Sequence, residues 1–318
     1  MKALIVLLAL LASFPSVAKE YPTQPVRLVV GFAAGGPTDI IGRIFAQKMT
    51  ELLGTPMVVD NKPGAGGNVA AETVARAQPD GYTVLLTHLA TQVISPLVYA
   101  KLPYDVDRDF EPVTQLIAVP NLMVVHPSVA ASSVSELIAL AKKSPGQLNF
   151  ASGGSGTSGH LSSELFKALA GVDIVHVPYK GSAAALADLR TGRVQMMTEN
   201  LQFLLPQVKS GALRALAVTP ASRVSIVPEL PTVAEAGVPG YDVSSWFGIV
   251  VPRGTPAAII ERLNREFVRA VRAPDMQQKF ADMAAVPVGS TPAEFAMLIK
   301  REAVKWAPVV KATGLRVD

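Results

Sequence analysis

The sequence predicts an α/β protein made of two doubly wound Rossmann-like domains joined by a hinge. Short apolar runs of strand length alternate with amphipathic helical segments along most of the chain, which is typical of parallel sheets with helical crossovers. The order strand, glycine-rich turn, helix occurs in both halves of the chain. With 318 residues, the chain is long enough for two domains of ordinary size.

The first 18 residues have the features of a cleavable export signal. Lys2 precedes the apolar run 3–12, and Ser16 and Ala18 form a small-x-small cleavage site. A ten-residue apolar run would extend about 15 Å as a helix, which is half of the roughly 30 Å of a bilayer core. We therefore expect cleavage after Ala18 and a periplasmic mature protein.

The first predicted unit begins with a strand at residues 26–32, VRLVVGF, whose near-continuous apolar character suits a strand buried on both faces. The turn AAGGPTD leads into a helix with apolar residues at helical spacing, and Gly54 supplies its C-cap. PMVVDN begins a second strand and YTVLLT a third. The glycine cluster between them, KPGAGGN at residues 62–68, either flanks the cleft or merely turns the chain, and we favour the turn.

The second predicted domain repeats this alternation. LNFAS, IVHVPY, RVQMMT and LRALAVT have strand length, and HLSSELFKALAG and SAAALADLRTG between them have helical spacing. LMVVHP is expected to lead out of the first domain and SSWFGIVVP to return to it, so the predicted division is 19–123 plus 245–318 for domain 1 and 124–244 for domain 2. Two final helices, each opened by Thr-Pro, are expected to pack on domain 1.

Composition excludes several classes of function. The net charge of +4 comes from scattered charges and only 6% of residues are aromatic, so we expect no nucleic-acid partner. Without cysteine there is no disulfide, thiolate nucleophile or Cys-bearing zinc site, and the four histidines lack metal-ligand spacing. We expect a monomer that holds no metal and no cofactor.

The glycine loop of the second domain resembles two enzyme motifs incompletely. Gly154, Gly156 and Gly159 have the G-x-G-x-x-G spacing of dinucleotide sites, but the next strand, IVHV, ends in PYK without the acid that would hold a ribose. Neither Ser155 nor Ser158 lies in the G-x-S-x-G motif of a nucleophile elbow. We therefore predict that the protein is not an enzyme.

Anion binding is the remaining interpretation of the two glycine loops, GFAAGGPTD and SGGSGT. A helix that starts just after a strand presents unpaired backbone N–H groups and the positive end of its dipole. Neither loop contains Lys or Arg, so backbone and hydroxyl groups would hold a small carboxylate. For either loop alone, a tight turn capped by Ser or Thr is an equal alternative; together, the loops are expected to face each other across one cleft.

Several motifs in a fixed order resemble those of the Bug-type solute-binding proteins of tripartite tricarboxylate transporters, over essentially the whole mature chain. These motifs are YPTQPVRLVVGFAAGGPTD, VVDNKPGAGGN, QPDGYTVLLT, LNFASGGSGTSGHLSSELF, HVPYKG, LRALAVT, PTVAEAGVPGY and WFG. The resemblance implies a type II periplasmic-binding-protein-like, Venus-flytrap fold that closes on a small carboxylate and delivers it to two membrane permease subunits. A binding protein coupled to a sensor partner stays open as an alternative, and a secreted enzyme using the same cleft is disfavoured.

The resemblance also implies which residues contact the ligand. On one side of the cleft these are Phe32, Gly35, Gly36, Pro37, Thr38 and Asp39, and on the other Ser152, Gly153, Ser155, Gly156, Thr157 and His160, with Tyr179 nearby. Thr87, His88, Glu199 and Trp246 are candidates for shaping the distal side of the cleft. The family commonly has Met-Phe-Asp where this chain has Met-Thr-Glu, ending at Glu199, so the charge is kept on a longer side chain and the neighbouring ring is lost.

Overall fold

The computed structural model describes residues 21–314 and 316, so the predicted export signal lies outside the described residues. Within the described part, no helix combines the length and the apolar character needed to cross a bilayer. The strands are β1 Val26–Val30, β2 Met57–Asn61, β3 Thr83–His88, β4 Phe110–Val125, β5 Asn149–Ser152, β6 Val175–Pro178, β7 Met196–Asn200, β8 Arg214–Val218, β9 Ser244–Pro252 and β10 Val286–Pro287. The α-helices are α1 Pro37–Leu53, α2 Asn68–Ala75, α3 Ser95–Val98, α4 Val106–Asp109, α5 Val134–Lys143, α6 Ser158–Ala170, α7 Ser182–Arg190, α8 Leu201–Lys209, α9 Ala257–Arg272, α10 Pro274–Asp282 and α11 Pro292–Thr313.

The first lobe is built on the strand order β2-β1-β3-β9-β4, in which β1 pairs in parallel with β2 and β3, and β9 runs antiparallel to β3 and β4. Four of the five residues of β1 are fully buried, as expected for a strand covered by helices on both faces. Phe45 of α1 stacks on Phe280 of α10, so the C-terminal part of the chain completes this core.

The second lobe shares the long strand β4 with the first. Up to Pro120, β4 pairs with β9, and from Asn121 onwards it pairs with β7 and β8 instead. The second lobe continues through β7 and β5 to β6 at its edge, with β5 parallel to both. This mixed α/β architecture is the predicted fold. The division at 123/124 and 244/245 stays a prediction, and the change of strand partners in β4 supports it.

The last helix packs differently from the expectation that both terminal helices cover domain 1. Helix α11 contacts β4 and also α6 of the second lobe. Phe295 in its first turns and Trp306 near its end belong to a core cluster that includes Leu161 and Phe166 of α6. Among the described residues of this 22-residue helix, one face is buried, and this face packs on both lobes along much of the helix length of about 33 Å.

Candidate functional site

A cavity of about 210 Å³ lies between the lobes at the point where three helices begin. Each of these helices, α1, α6 and α7, starts just beyond the carboxyl end of a strand, which is where ligands bind in doubly wound sheets. We call this space the inner cavity. It is lined by Phe32, Ala33, Gly36, Pro37, Thr38, His88, Leu89, Thr157, Ser158, Lys180, Gly181, Ser182, Ala183, Ala184, Glu199, Asn200, Ser245 and Phe247.

Two of the three helices begin without a side-chain cap. The N-caps of α1 and α7 are Gly36 and Gly181, and neither helix start has a side chain that accepts from its first N–H groups. Helix α6 is capped by Thr157, whose hydroxyl accepts from the His160 N–H. Backbone donors and the positive ends of three helix dipoles therefore meet at the inner cavity, which is favourable for a bound anion.

A second space of about 590 Å³, the outer cavity, adjoins the inner one and shares Phe32, Ala33, Lys180 and Gly181 with it. One wall is the glycine cluster 63–67, so the structure agrees with the alternative that this cluster flanks the cleft rather than with the favoured turn. A Cβ atom built on Gly66 would lie 2.8 Å from the carbonyl oxygen of Ser155 in the other lobe. Glycine is needed there because the two lobes approach each other so closely.

Ten of the predicted site residues line the inner cavity, the outer cavity or both. Gly36, Pro37, Thr38, Thr157 and Glu199 line the inner cavity. Gly153, Ser155 and Tyr179 line the outer cavity, and Phe32 lines both. His88, a candidate for the distal side, also lines the inner cavity. Thr157 and the start of α1 thus face one space, whereas Ser155 faces Gly66 in the neighbouring one.

Asp39 does not reach either cavity, contrary to the prediction that it contacts the ligand. Its carboxylate accepts from the Gly35 N–H at 2.9 Å, from Arg43 Nε at 2.9 Å and from Asn61 Nδ2 at 3.0 Å. Burial alone would raise the pKa of Asp39, but these hydrogen bonds outweigh it and the pKa is lowered. Asp39 and Gly35 therefore stabilise the first glycine loop from outside the cavity linings.

Ser152 and Gly156 of the second glycine loop are buried with His160, and none of the three lines either cavity. His160 Nδ1 accepts from the Gly156 N–H at 3.0 Å, and the His160 ring stacks on His176 with centroids 3.8 Å apart. His176 Nε2 is 2.7 Å from Ser152 Oγ. Burial lowers the pKa of His160 to about 3 and of His176 to about 4, and nearby positive charge adds to both shifts. Both rings are neutral near neutral pH and support the loop.

Two candidates for the distal wall, Thr87 and Trp246, also line neither cavity. Thr87 is fully buried, and its hydroxyl lies 2.8 Å from that of Thr91. Trp246 packs edge-on against Phe295 in the core, because successive residues of β9 face opposite sides. Its neighbour Phe247 lines the inner cavity instead.

Glu199 is the buried acid of the inner cavity, with 5% of its surface exposed. Its Oε2 accepts from Ser182 Oγ at 2.6 Å, and its Oε1 accepts from the Asn200 N–H at 2.9 Å. Burial raises the pKa of Glu199, and the two hydrogen bonds only partly offset this effect. Among the described residues, no basic side chain lies within salt-bridge distance of it.

Sequence reasoning predicted helix α7 but did not place its start in the site. Lys180, Gly181 and Ser182 all line the inner cavity. The signal was present, because HVPYKGS repeats the order strand, glycine, hydroxyl, helix of the two loops that were singled out. Asn200, which follows Glu199 at the end of β7, was also missed.

Residues 41–315 match the family model described as "Tripartite tricarboxylate transporter family receptor". Protein BugT of Bordetella pertussis is 37% identical over 304 residues, covering 95% of this chain and 93% of BugT. Among solved structures, R. palustris Rpa4515 with adipate is 40% identical with a TM-score of 0.91, covering 93% of this chain and 99% of Rpa4515. MatC (Rpa3494) from Rhodopseudomonas palustris with bound malate is 35% identical with a TM-score of 0.87, covering 91% of this chain and 100% of MatC.

Proposed function

The chain belongs to the receptor family of tripartite tricarboxylate transporters, and from this premise we propose that it is a periplasmic solute-binding protein. In this proposal the protein captures a small organic carboxylate in the inner cavity and delivers it to the membrane permease subunits. Relatives with adipate and with malate bound support the ligand class. The protein would act by binding and release, without turnover of the ligand.

The observation that carries the proposal is the convergence of the starts of α1, α6 and α7 on the inner cavity. A helix N-terminus stabilises an adjacent anion by about 0.3–1 kcal/mol, and by up to about 2 kcal/mol where the site is partly buried. Three such ends, two of them with glycine caps, favour a carboxylate without an arginine clamp. The volume of about 210 Å³ suits a small acid and is well below that of sites for larger ligands.

Capture in this proposal depends on closure of the lobes. They approach at Gly66 and Ser155, and again where a Cβ on Gly181 would lie 3.6 Å from Ala33 Cβ. Gly66 and Ser155 line the outer cavity, and Ala33 and Gly181 line both, so closure brings the lobes together around the ligand. A ligand that spans the inner cavity contacts the start of α1 in the first lobe and the starts of α6 and α7 in the second only in the closed state, which it therefore favours.

The test combines a ligand screen with one cavity variant. Thermal unfolding and calorimetry with C4 to C6 mono- and dicarboxylates, including adipate and malate, are expected to identify at least one acid that stabilises the protein. Gly36→Val adds a side chain at a negative φ of −85°, where its Cβ meets only Ala33 O at 3.5 Å, so the fold is expected to persist. Because Gly36 lines the inner cavity, we expect an affinity loss of about ten-fold or more.

Ala258→Val, at an exposed position of α9, is the matched control and is expected to keep the wild-type affinity. Stabilisation by none of the acids, or an unchanged affinity in folded Gly36→Val, would place the function or the site elsewhere.

A further inference from the structure

We propose that Glu199 makes the inner cavity select a carboxylic acid that also presents a hydrogen-bond donor, a hydroxyl or an ammonium group, to the wall formed by the second lobe. This inference rests on the proposed function and concerns the ligand class of the same cavity. It assigns the two ends of the ligand to opposite walls, the carboxylate to the start of α1 and the donor to Glu199.

The carboxylate of Glu199 has unused capacity to accept hydrogen bonds. Each of its oxygens has one protein donor, Ser182 Oγ or the Asn200 N–H, whereas an ionised carboxylate offers about four acceptor positions. Both donors are uncharged. A buried carboxylate without a cationic partner is costly, and a donor supplied by the ligand reduces this cost.

The position of Glu199 gives the cavity two different walls. A Cβ on Gly159, in the first turn of α6, would lie 3.8 Å from Glu199 Oε2, and Ser182 is the first residue of α7. The starts of the two second-lobe helices therefore already face an acidic group. On the first-lobe wall, the only acid in the first turn of α1 is Asp39, which is bonded to Arg43 and does not line the cavity. The start of α1 is thus the wall that remains free for the carboxylate of the ligand.

A ligand with a carboxylate at both ends would bring a second negative charge against Glu199. The buried carboxylates of Glu199 and of the ligand can lie in contact only if they share a proton. The affinity for a dicarboxylate therefore falls as pH rises. The other ionisable groups nearby are His88 and Lys180 in the lining, and His160 and Asp39 behind it. Burial lowers the pKa of His88 to about 4 and of His160 to about 3, so neither histidine changes charge between pH 5.5 and 7.5.

The experiment measures affinities for matched acids of equal chain length by calorimetry. Each α,ω-dicarboxylate from succinate to adipate is compared with the ω-hydroxy and ω-amino acid of the same length. At about pH 7.5 the wild type is expected to bind one of the two donor acids, the hydroxy or the amino acid, about ten-fold or more tightly than the dicarboxylate. The ratio of these affinities is expected to be smaller at about pH 5.5.

Glu199→Gln removes the charge at nearly constant volume, so dicarboxylate affinity is expected to rise about ten-fold and to lose its pH dependence. Glu199→Asp keeps the charge and is expected to keep the donor preference. Glu51→Gln, on an exposed turn of α1 outside the cavity lining, is the matched control and keeps the wild-type ratio.

Equal affinity of the wild type for donor acids and dicarboxylates at both pH values would overturn the inference, even if no Glu199 variant folded. So would a ratio that is unchanged in folded Glu199→Gln. If the wild type binds acids with and without a hydrogen-bond donor equally well, the proposed function stays intact. If the wild type binds none of the acids, the proposed function and this inference fail together.

Discussion

Two stacked histidines support the loop that begins α6. His160 accepts a hydrogen bond from the Gly156 N–H, and this requires an unprotonated Nδ1. The His176 ring stacks on both His160 and Phe150, with centroid separations of 3.8 Å and 4.8 Å. Side chains outside the glycine motif therefore support the loop.

This stack predicts an acid-sensitive fold. Because folding lowers the pKa of His160 to about 3 and of His176 to about 4, the unfolded chain takes up these protons first, starting near pH 6.5. The free energy of unfolding is therefore highest above pH 6.5 and falls as pH decreases towards 4, by up to about 2 kcal/mol for each of the two histidines at pH 5. Urea unfolding between pH 7.5 and pH 5 measures this loss.

His176→Phe keeps an aromatic ring in the stack and removes one ionisable group. The variant is expected to lose less stability than the wild type over the same pH range. A pH dependence identical to that of the wild type would show that the stack does not cause the loss.

The N-caps of α6 and α11 are both threonines, but only one of them lies at a cavity. Thr157 caps α6 and also lines the inner cavity, and its hydroxyl donates to the Gly154 carbonyl at 2.8 Å. Thr291 caps α11 through reciprocal hydrogen bonds with Glu294, and it lines neither cavity. A threonine therefore caps both helices, but only Thr157 also lines a cavity.

Thr157→Val and Thr291→Val are each expected to reduce the free energy of unfolding by about 1 kcal/mol, because valine has the shape of threonine without the capping hydroxyl. Only Thr157→Val is expected to weaken carboxylate binding as well. Chemical denaturation and calorimetry on both variants measure the two effects, and equal affinities in the two variants would contradict a binding role for Thr157.

The sequence predicted the elements better than their contacts. Glycine, proline and hydroxyl residues after apolar strands were enough to predict the starts of α1 and α6, because caps and turns depend on local chemistry. The chain could not reveal that Gly66 meets Ser155, since that approach joins residues far apart in sequence. The hydrogen bonds of Asp39 were not readable from the sequence for the same reason, because its partner Asn61 lies on the neighbouring strand β2.

The closed arrangement of the lobes depends on a glycine at their contact. Gly66 has a φ of +66°, and any side chain on it would meet the Ser155 carbonyl. Gly211 has a similar φ of +76°, and a Cβ there would meet nothing within 4 Å. The two positions share the backbone conformation and differ in the contact between lobes.

Gly66→Ala is expected to weaken carboxylate binding about ten-fold or more, because the added Cβ holds the lobes apart and the closed state is lost. Gly211→Ala carries the strain of a positive φ, about 1 kcal/mol, without touching the other lobe, so its affinity is expected to match the wild type. Calorimetry gives the affinities, and small-angle scattering with ligand reports whether Gly66→Ala stays more extended. Equal affinities in the two variants would exclude a role for this contact in closure.

The lobes are joined by continuous structure as well as by contacts. Strand β4 passes from one sheet into the other between Pro120 and Asn121, and α11 packs against both lobes. Opening therefore has to bend a hydrogen-bonded strand and to move the buried face of α11 against at least one lobe.

The start of α1 offers main-chain N–H groups to the inner cavity, because Gly36 caps it without a side chain. A point mutation exchanges a side chain but leaves an amide donor in place, so under the proposed function this anchor for a negative charge survives most substitutions. Glu199 on the facing wall contributes through its side chain, and a single substitution there changes the group that a ligand meets. A lineage carrying this scaffold can thus change its preferred acid at a few wall positions without rebuilding the anchor.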